Sequence, residues 1–195
     1  MHLAVWNIDT GEARVFKQMG SSRYNQVSAY SPDGRWIAAT NGNLLLYDLH
    51  NNSTSSLISE SECRSPRFSP NSRYLGYLEL SGDSVTAVIR SMYDDTEMRY
   101  PIEGEASDGL LTWSQTGRYI ATLTVRKENL NRYNGEISVK SIEDKKESYS
   151  IYGVPSLNVG SLLWAVNPSR FIVLDFISRG DKYVLGKKEY PAQVE

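Results

Sequence analysis

At four places in this chain a polar turn closes onto an arginine and runs at once into an apolar strand: "SPDGRWIAAT" from Ser31, "SPNSRYLGYL" from Ser69, "SQTGRYIATL" from Ser114 and "NPSRFIVLDF" from Asn167. The arginines, Arg35, Arg73, Arg118 and Arg170, follow one another at intervals of 38, 45 and 52 residues. Self-similarity at that period points to stacked supersecondary units, and the mean interval lies in the range of four-stranded propeller blades.

Turn chemistry sets the shape of each copy. Pro32 and Pro70 fix φ near −65°, which suits the second residue of a type I turn. Asp33 and Asn71 follow with short side chains that bond to nearby backbone. Gly34 takes the left-handed conformation at no steric cost. Ser72 stands where the glycine should be, so the second copy is expected to carry some strain. The third copy lacks the proline and the fourth is one residue shorter. The strands that follow, "RWIAAT", "RYLGYLEL", "RYIATLTV" and "RFIVLDFI", read as nearly continuous apolar runs, and such strands are buried on both faces.

A second hairpin follows each of the first three copies. "LLLYDLHNNSTSSLI", "AVIRSMYDDTEMRYPI" and "ISVKSIEDKKESYSIY" each hold a strand, a polar tip and a strand. The head of the chain, "LAVWNIDTGEARVF", has the same form. The tip residues Asp9, Asn51, Asp94 and Asp144 are spaced by 42, 43 and 50 residues, so a second landmark keeps step with the arginines. The polar stretch "RKENLNRYNGE" (126–136) reads as an extended hairpin loop. No segment reads as an amphipathic helix of ten or more residues.

The expected fold is therefore all-β: one domain over 1–195 made of about four four-stranded blades. The blade segments are about 26–60, 63–104 and 108–153, with a fourth formed by 1–19 together with 161–195. In that arrangement the head strands "HLAVWNI" and "ARVFKQM" complete the last blade and close the ring. "KYVLGKK" (182–188) competes for the same place, and the preferred reading leaves it outside the blade. If it displaces the head, an open edge remains and invites self-association.

"YSPDGRWIA" (30–38), "VWNIDTGE" (5–12) and "LLLYDLHNN" (44–52) together resemble the WD-repeat propellers and the related TolB-like propeller repeats. Trp6-Asn7 and Tyr47-Asp48 stand where a WD repeat has its Trp-Asp pair. The Gly-His pair of a WD repeat has no counterpart, since the only histidines are His2 and His50. The resemblance implies a rigid, non-enzymatic scaffold whose loops and rim bind protein partners.

Composition narrows function further. A net charge of −2 and the absence of a basic stripe disfavour nucleic-acid binding. No apolar run approaches the length of a membrane-spanning helix. The first residues lack a secretory leader, so a cytoplasmic protein is expected. Cys63 is the single cysteine, which rules out an intrachain disulfide, and two histidines make no metal set of usual spacing. No G-x-S-x-G or phosphate-loop motif occurs. No catalytic residue, metal or cofactor is therefore expected. Asp94 and Asp95 read as turn formers, residues 143–147 as a solvated tip, His50 as a turn residue and Cys63 as a buried thiol.

Two features remain as binding candidates. Arg35, Arg73, Arg118 and Arg170 repeat at one level of one face, where a guanidinium ring could hold an acidic partner surface. The 13 tyrosines supply residues that interfaces favour. A catalytic or small-molecule propeller of hydrolase type, and a fragment of a larger propeller protein, stay open as alternatives.

Overall fold

The structure is a computed structural model. Of the 195 residues it describes 3–6, 8–16, 28–51, 53–58, 61–82, 84–102, 110–129, 132–144, 148–154, 159–166, 169–179 and 182–192. Among these, all regular structure is strand, turn or bend. Strands β1 (Leu3–Trp6) and β2 (Ala13–Phe16) pair only with each other.

Three four-stranded antiparallel sheets follow in up-and-down order. Sheet one holds β3 (Ser28–Tyr30), β4 (Trp36–Asn41), β5 (Asn43–Asp48) and β6 (Ser53–Ile58). Sheet two holds β7 (Glu62–Phe68), β8 (Tyr74–Ser81), β9 (Ser84–Ser91) and β10 (Glu97–Ile102). Sheet three holds β11 (Leu110–Trp113), β12 (Tyr119–Asn129), β13 (Arg132–Ser141) and β14 (Ser148–Val154). Sheet four has three strands, β15 (Val159–Val166), β16 (Ser169–Arg179) and β17 (Lys182–Pro191).

The first strands of successive sheets lie side by side: β3 by β7, β7 by β11, and β11 by β15. The sheets thus fan out from a common inner row, as blades do. Backbone and side-chain bonds stitch the row together. The Cys63 N–H donates to the Gly42 carbonyl at 2.7 Å, and the Trp113 Nε1–H to the Arg67 carbonyl at 3.0 Å.

The middle strands supply the core because their two faces point into two seams. Leu75 and Tyr77 of β8 meet Ala38 and Leu46 of sheet one. Leu78 and Ile89, on the opposite face of sheet two, meet Leu111 and Ile120 of sheet three. Leu123 and Val139 of sheet three meet Leu162 and Phe171 of sheet four. Each such side chain removed from water contributes about 1.5–3 kcal/mol, which is what holds neighbouring sheets face to face.

Two expectations need correction. The head does not join sheet four. β17 pairs with β16 at every position from Arg179↔Lys182 to Arg170↔Pro191, so the third place is taken by the adjoining strand of a hairpin. The head hairpin is instead exposed at Trp6 (68%), Ile8 and Val15. Secondly, residues 126–136 are largely strand: β12 and β13 pair out to Asn129↔Arg132. β12 is buried on both faces from Tyr119 to Thr124, as expected of the strand after the turn, but one face carries Thr122 and Thr124, with consequences described below.

Candidate functional site

The repeated serine explains why the turn recurs. In sheet one the Ser31 hydroxyl donates to Asp33 Oδ1 at 2.6 Å and accepts from the Trp36 N–H at 2.8 Å, while the Arg35 N–H donates to Asp33 Oδ1 at 3.1 Å. Sheet two repeats this with Ser69, Asn71, Arg73 and Tyr74, and sheet three with Ser114, Thr116, Arg118 and Tyr119. All three serines are fully buried. A buried hydroxyl needs partners, and each serine finds two within five residues.

The fourth turn position is left-handed in each copy: Gly34 at φ +76°, Ser72 at +56° and Gly117 at +73°. Ser72 bears the strain expected of a side chain there, yet its Oγ accepts from the Asp33 N–H of the preceding sheet at 2.9 Å. The turns therefore sit side by side on one face.

That face returns the arginines to equivalent places, each at or just before the start of its sheet's second strand. Three of them are ion-paired within their own sheets. Arg35 reaches Asp48 at 3.0 Å, Arg118 reaches Glu143 at 3.1 Å, and Arg170 reaches Glu189 at 3.0 Å. Asp48 is 4% exposed in its side chain and also accepts from the N–H groups of His50 and Asn51. Burial pushes its carboxyl up, but the bonds from Arg35, Asn51 and His50 together outweigh burial and hold it below the usual carboxylate range.

Arg73 differs. It is exposed, and among the described residues its guanidinium makes no ion pair or hydrogen bond. The reason lies across the strand pair. Trp36 faces Asp48, while Tyr74 faces Ser91 and Tyr119 faces Ser141; sheet three makes up for its serine with Glu143 two residues on, where sheet two has Tyr93, so no carboxylate stands at either position for Arg73 to pair with. The Arg73 carbonyl accepts from the Met92 N–H at 2.8 Å, which sets Tyr93, 79% exposed, one residue away.

The remaining sequence candidates take structural places. Asp94 accepts from the Thr96 N–H and hydroxyl, and Asp95 pairs with Arg90 at 2.8 Å, both closing the β9–β10 tip. His50 is exposed in the turn after β5. Cys63 is buried, and burial, aided by the nearby Glu79 carboxylate, pushes its thiol up to about 12, which leaves it unreactive. His2 and residues 145–147 lie outside the described residues.

One feature escaped the sequence reading. The seam between sheets one and two is filled by apolar side chains. The seam between sheets two and three opens past Leu78 and Ile120 into a cleft of about 250 Å³. Its sheet-two wall is apolar: Ala87, Tyr100 and Ile102. Its sheet-three wall carries Thr122 and Thr124 of β12 with Glu136, Ser138 and Lys140 of β13. The signal was period-two alternation in "YIATLT" and "EISVK", which places one apolar and one hydroxylic face on the same sheet.

Comparison with solved structures identifies the fold. The chain is similar to the propeller domain of the Trilobed protease from Pyrococcus furiosus, described as having an open velcro topology: TM-score 0.66, 12% identity, covering 99% of this chain and 60% of that one. It is similar to TolB from Acinetobacter baumannii, with TM-score 0.65 and 16% identity over 94% of this chain and 45% of that one. It is similar also to the propeller domain of Cps50 (Swd1) from Myceliophteria thermophila, with TM-score 0.65 and 14% identity over 90% and 56%. An enzyme, oligogalacturonate lyase from Vibrio parahaemolyticus, is among the matches. No family model and no curated protein sequence matches the chain. The fold is thus an all-β propeller, and the chain spans about half the length of the propellers it matches.

Proposed function

We propose that this chain is a non-enzymatic protein-interaction scaffold of WD-repeat-like type, acting in the cytoplasm. Its contact surface is the turn face around Arg73 and Tyr93. The observation that carries this reading is the unpaired Arg73 beside an exposed tyrosine, on a face whose other arginines are held by carboxylates. Arginine and tyrosine dominate binding energy at protein interfaces. An unpaired guanidinium suits a partner carboxylate, because its fork can donate two parallel N–H bonds to the carboxylate oxygens without first breaking an internal pair.

The test is affinity capture with quantitative mass spectrometry, using three baits: the native chain, Arg118→Ala, and Arg73→Glu combined with Tyr93→Ala. A partner of this face is retained by the first two and lost by the third. Retention by all three baits would remove the turn face from the reading.

A further inference from the structure

We propose that the cleft between sheets two and three is a binding site for a small polyhydroxylated ring, of the size of a single sugar. This goes beyond the scaffold reading and stands or falls apart from it, since the cleft lies between the faces of two sheets and includes neither Arg73 nor Tyr93, which sit in turns at the strand ends.

The first observation is unmet hydrogen-bonding capacity. Thr122 and Thr124 are 4% and 3% exposed. Neither hydroxyl, nor that of Ser138, makes a hydrogen bond within the described protein. Each hydroxyl can donate once and accept twice. These hydroxyls open onto the cleft, where water meets them until a ligand takes its place, and several gathered on one wall offer a ready set of donors and acceptors. Valine would have filled the two threonine positions at equal volume, as it does at Val88 and Val139 in the filled seams.

The second observation is the contrast between walls. Tyr100, Ile102 and Ala87 present apolar surface across from the hydroxyls. A sugar ring has that same division, with C–H faces to lie on an aromatic or aliphatic wall and hydroxyls at its edge. The volume of about 250 Å³ suits a small ligand, lying just under the range of roughly 300–1,000 Å³ for pockets of drug-sized molecules.

The third observation concerns charge. Glu136, Ser138 and Lys140 share one face of β13, and Lys140 makes no ion pair or hydrogen bond within the described protein. Four residues of strand separate the acid from the base by about 13 Å. The ammonium can therefore reach a ligand carboxylate without being neutralised by Glu136. Neutral sugars and sugar acids share the hydroxyl chemistry; Lys140 distinguishes them.

Isothermal titration of the intact chain with common hexoses, the matching hexuronates and inositol tests the site. At least one is expected to bind at millimolar concentration. Thr122→Val and Thr124→Val should each weaken it about tenfold, the worth of one lost hydrogen bond. Thr124→Ser keeps the hydroxyl and should keep the affinity, which separates loss of the site from loss of the fold. A hexuronate that binds better than its hexose should lose that advantage in Lys140→Met. No binding across the panel, or binding that Thr122→Val and Thr124→Val leave unchanged, would overturn the proposal.

Discussion

Two copies of one turn lie in contact, joined by the bond from the Asp33 N–H to Ser72 Oγ, yet their arginines lead different lives. Arg35 is tied to a buried carboxylate and lies over Trp36, 4.6 Å from the ring centroid. Arg73 has neither carboxylate nor ion pair and points to water beside Tyr93. The local network of serine, Asp or Asn, and backbone is the same in both. The difference is made one strand away, where Asp48 in one sheet is replaced by Ser91 in the next. Sheet three also has a serine there, Ser141, but supplies Glu143 two residues on, where sheet two has Tyr93; a repeated arginine is thus structural or available according to whether the third strand and its turn bring it a carboxylate, not according to its own motif.

Removing the support common to both turns gives the largest effect. Leu75 is fully buried in the seam beneath them, so Leu75→Ala should cost about 2–5 kcal/mol in denaturant unfolding. Charge reversal then separates the two. Arg35→Glu sets a like charge against buried Asp48 and removes one of its donors, which should cost about 1–3 kcal/mol. Arg73→Glu, exposed and unpaired, should stay within about 0.5 kcal/mol of the native chain in the same assay. Equal losses in the two variants would erase the distinction.

Acid sharpens the comparison. Sheet one has titratable Asp33 and Asp48 where sheet two has Asn71 and Ser91. Burial raises the Asp33 carboxyl too, but hydrogen bonds with Ser31 and Arg35 leave it lowered overall. Carboxyls depressed in the folded state stabilise fully above the range where free carboxylates titrate, and that stability is lost as pH falls through the lower folded values. Amide hydrogen exchange should therefore show the Arg35 and His50 N–H groups losing protection on acidification before that of Arg73, which bonds to an amide oxygen. The smallest effect is expected of Ser72→Gly. It relieves a positive φ but loses the oxygen that accepts from Asp33, and the two should nearly cancel, within about 0.5 kcal/mol.

Repeated turns followed by apolar runs made the sheet order legible, because turn residues and strand periodicity are local properties. The strain at Ser72 was legible for the same reason. The ion pairs of Arg35, Arg118 and Arg170 were not, since they depend on register between strands 13 to 25 residues apart in sequence. The place of β17 turns on a choice between long-range closure by the head and a local hairpin, and the hairpin forms along ten paired positions. The cleft is written in plain alternation: in "ATLT" and "ISVK" the apolar residues enter the seam with sheet four, while Thr122, Thr124 and Ser138 form the wall of the cleft on the other face, and which of two faces meets a neighbour is a long-range property.

The most direct test of the turn face is quantitative capture by Arg73→Glu combined with Tyr93→Ala, with thermal unfolding measured on the same preparation. The expected result is a melting temperature within a few degrees of native, as surface changes allow, together with loss of a partner that Arg118→Ala still retains. A doubly substituted chain that captures the same partners to the same extent would contradict the assignment of this surface to Arg73 and Tyr93.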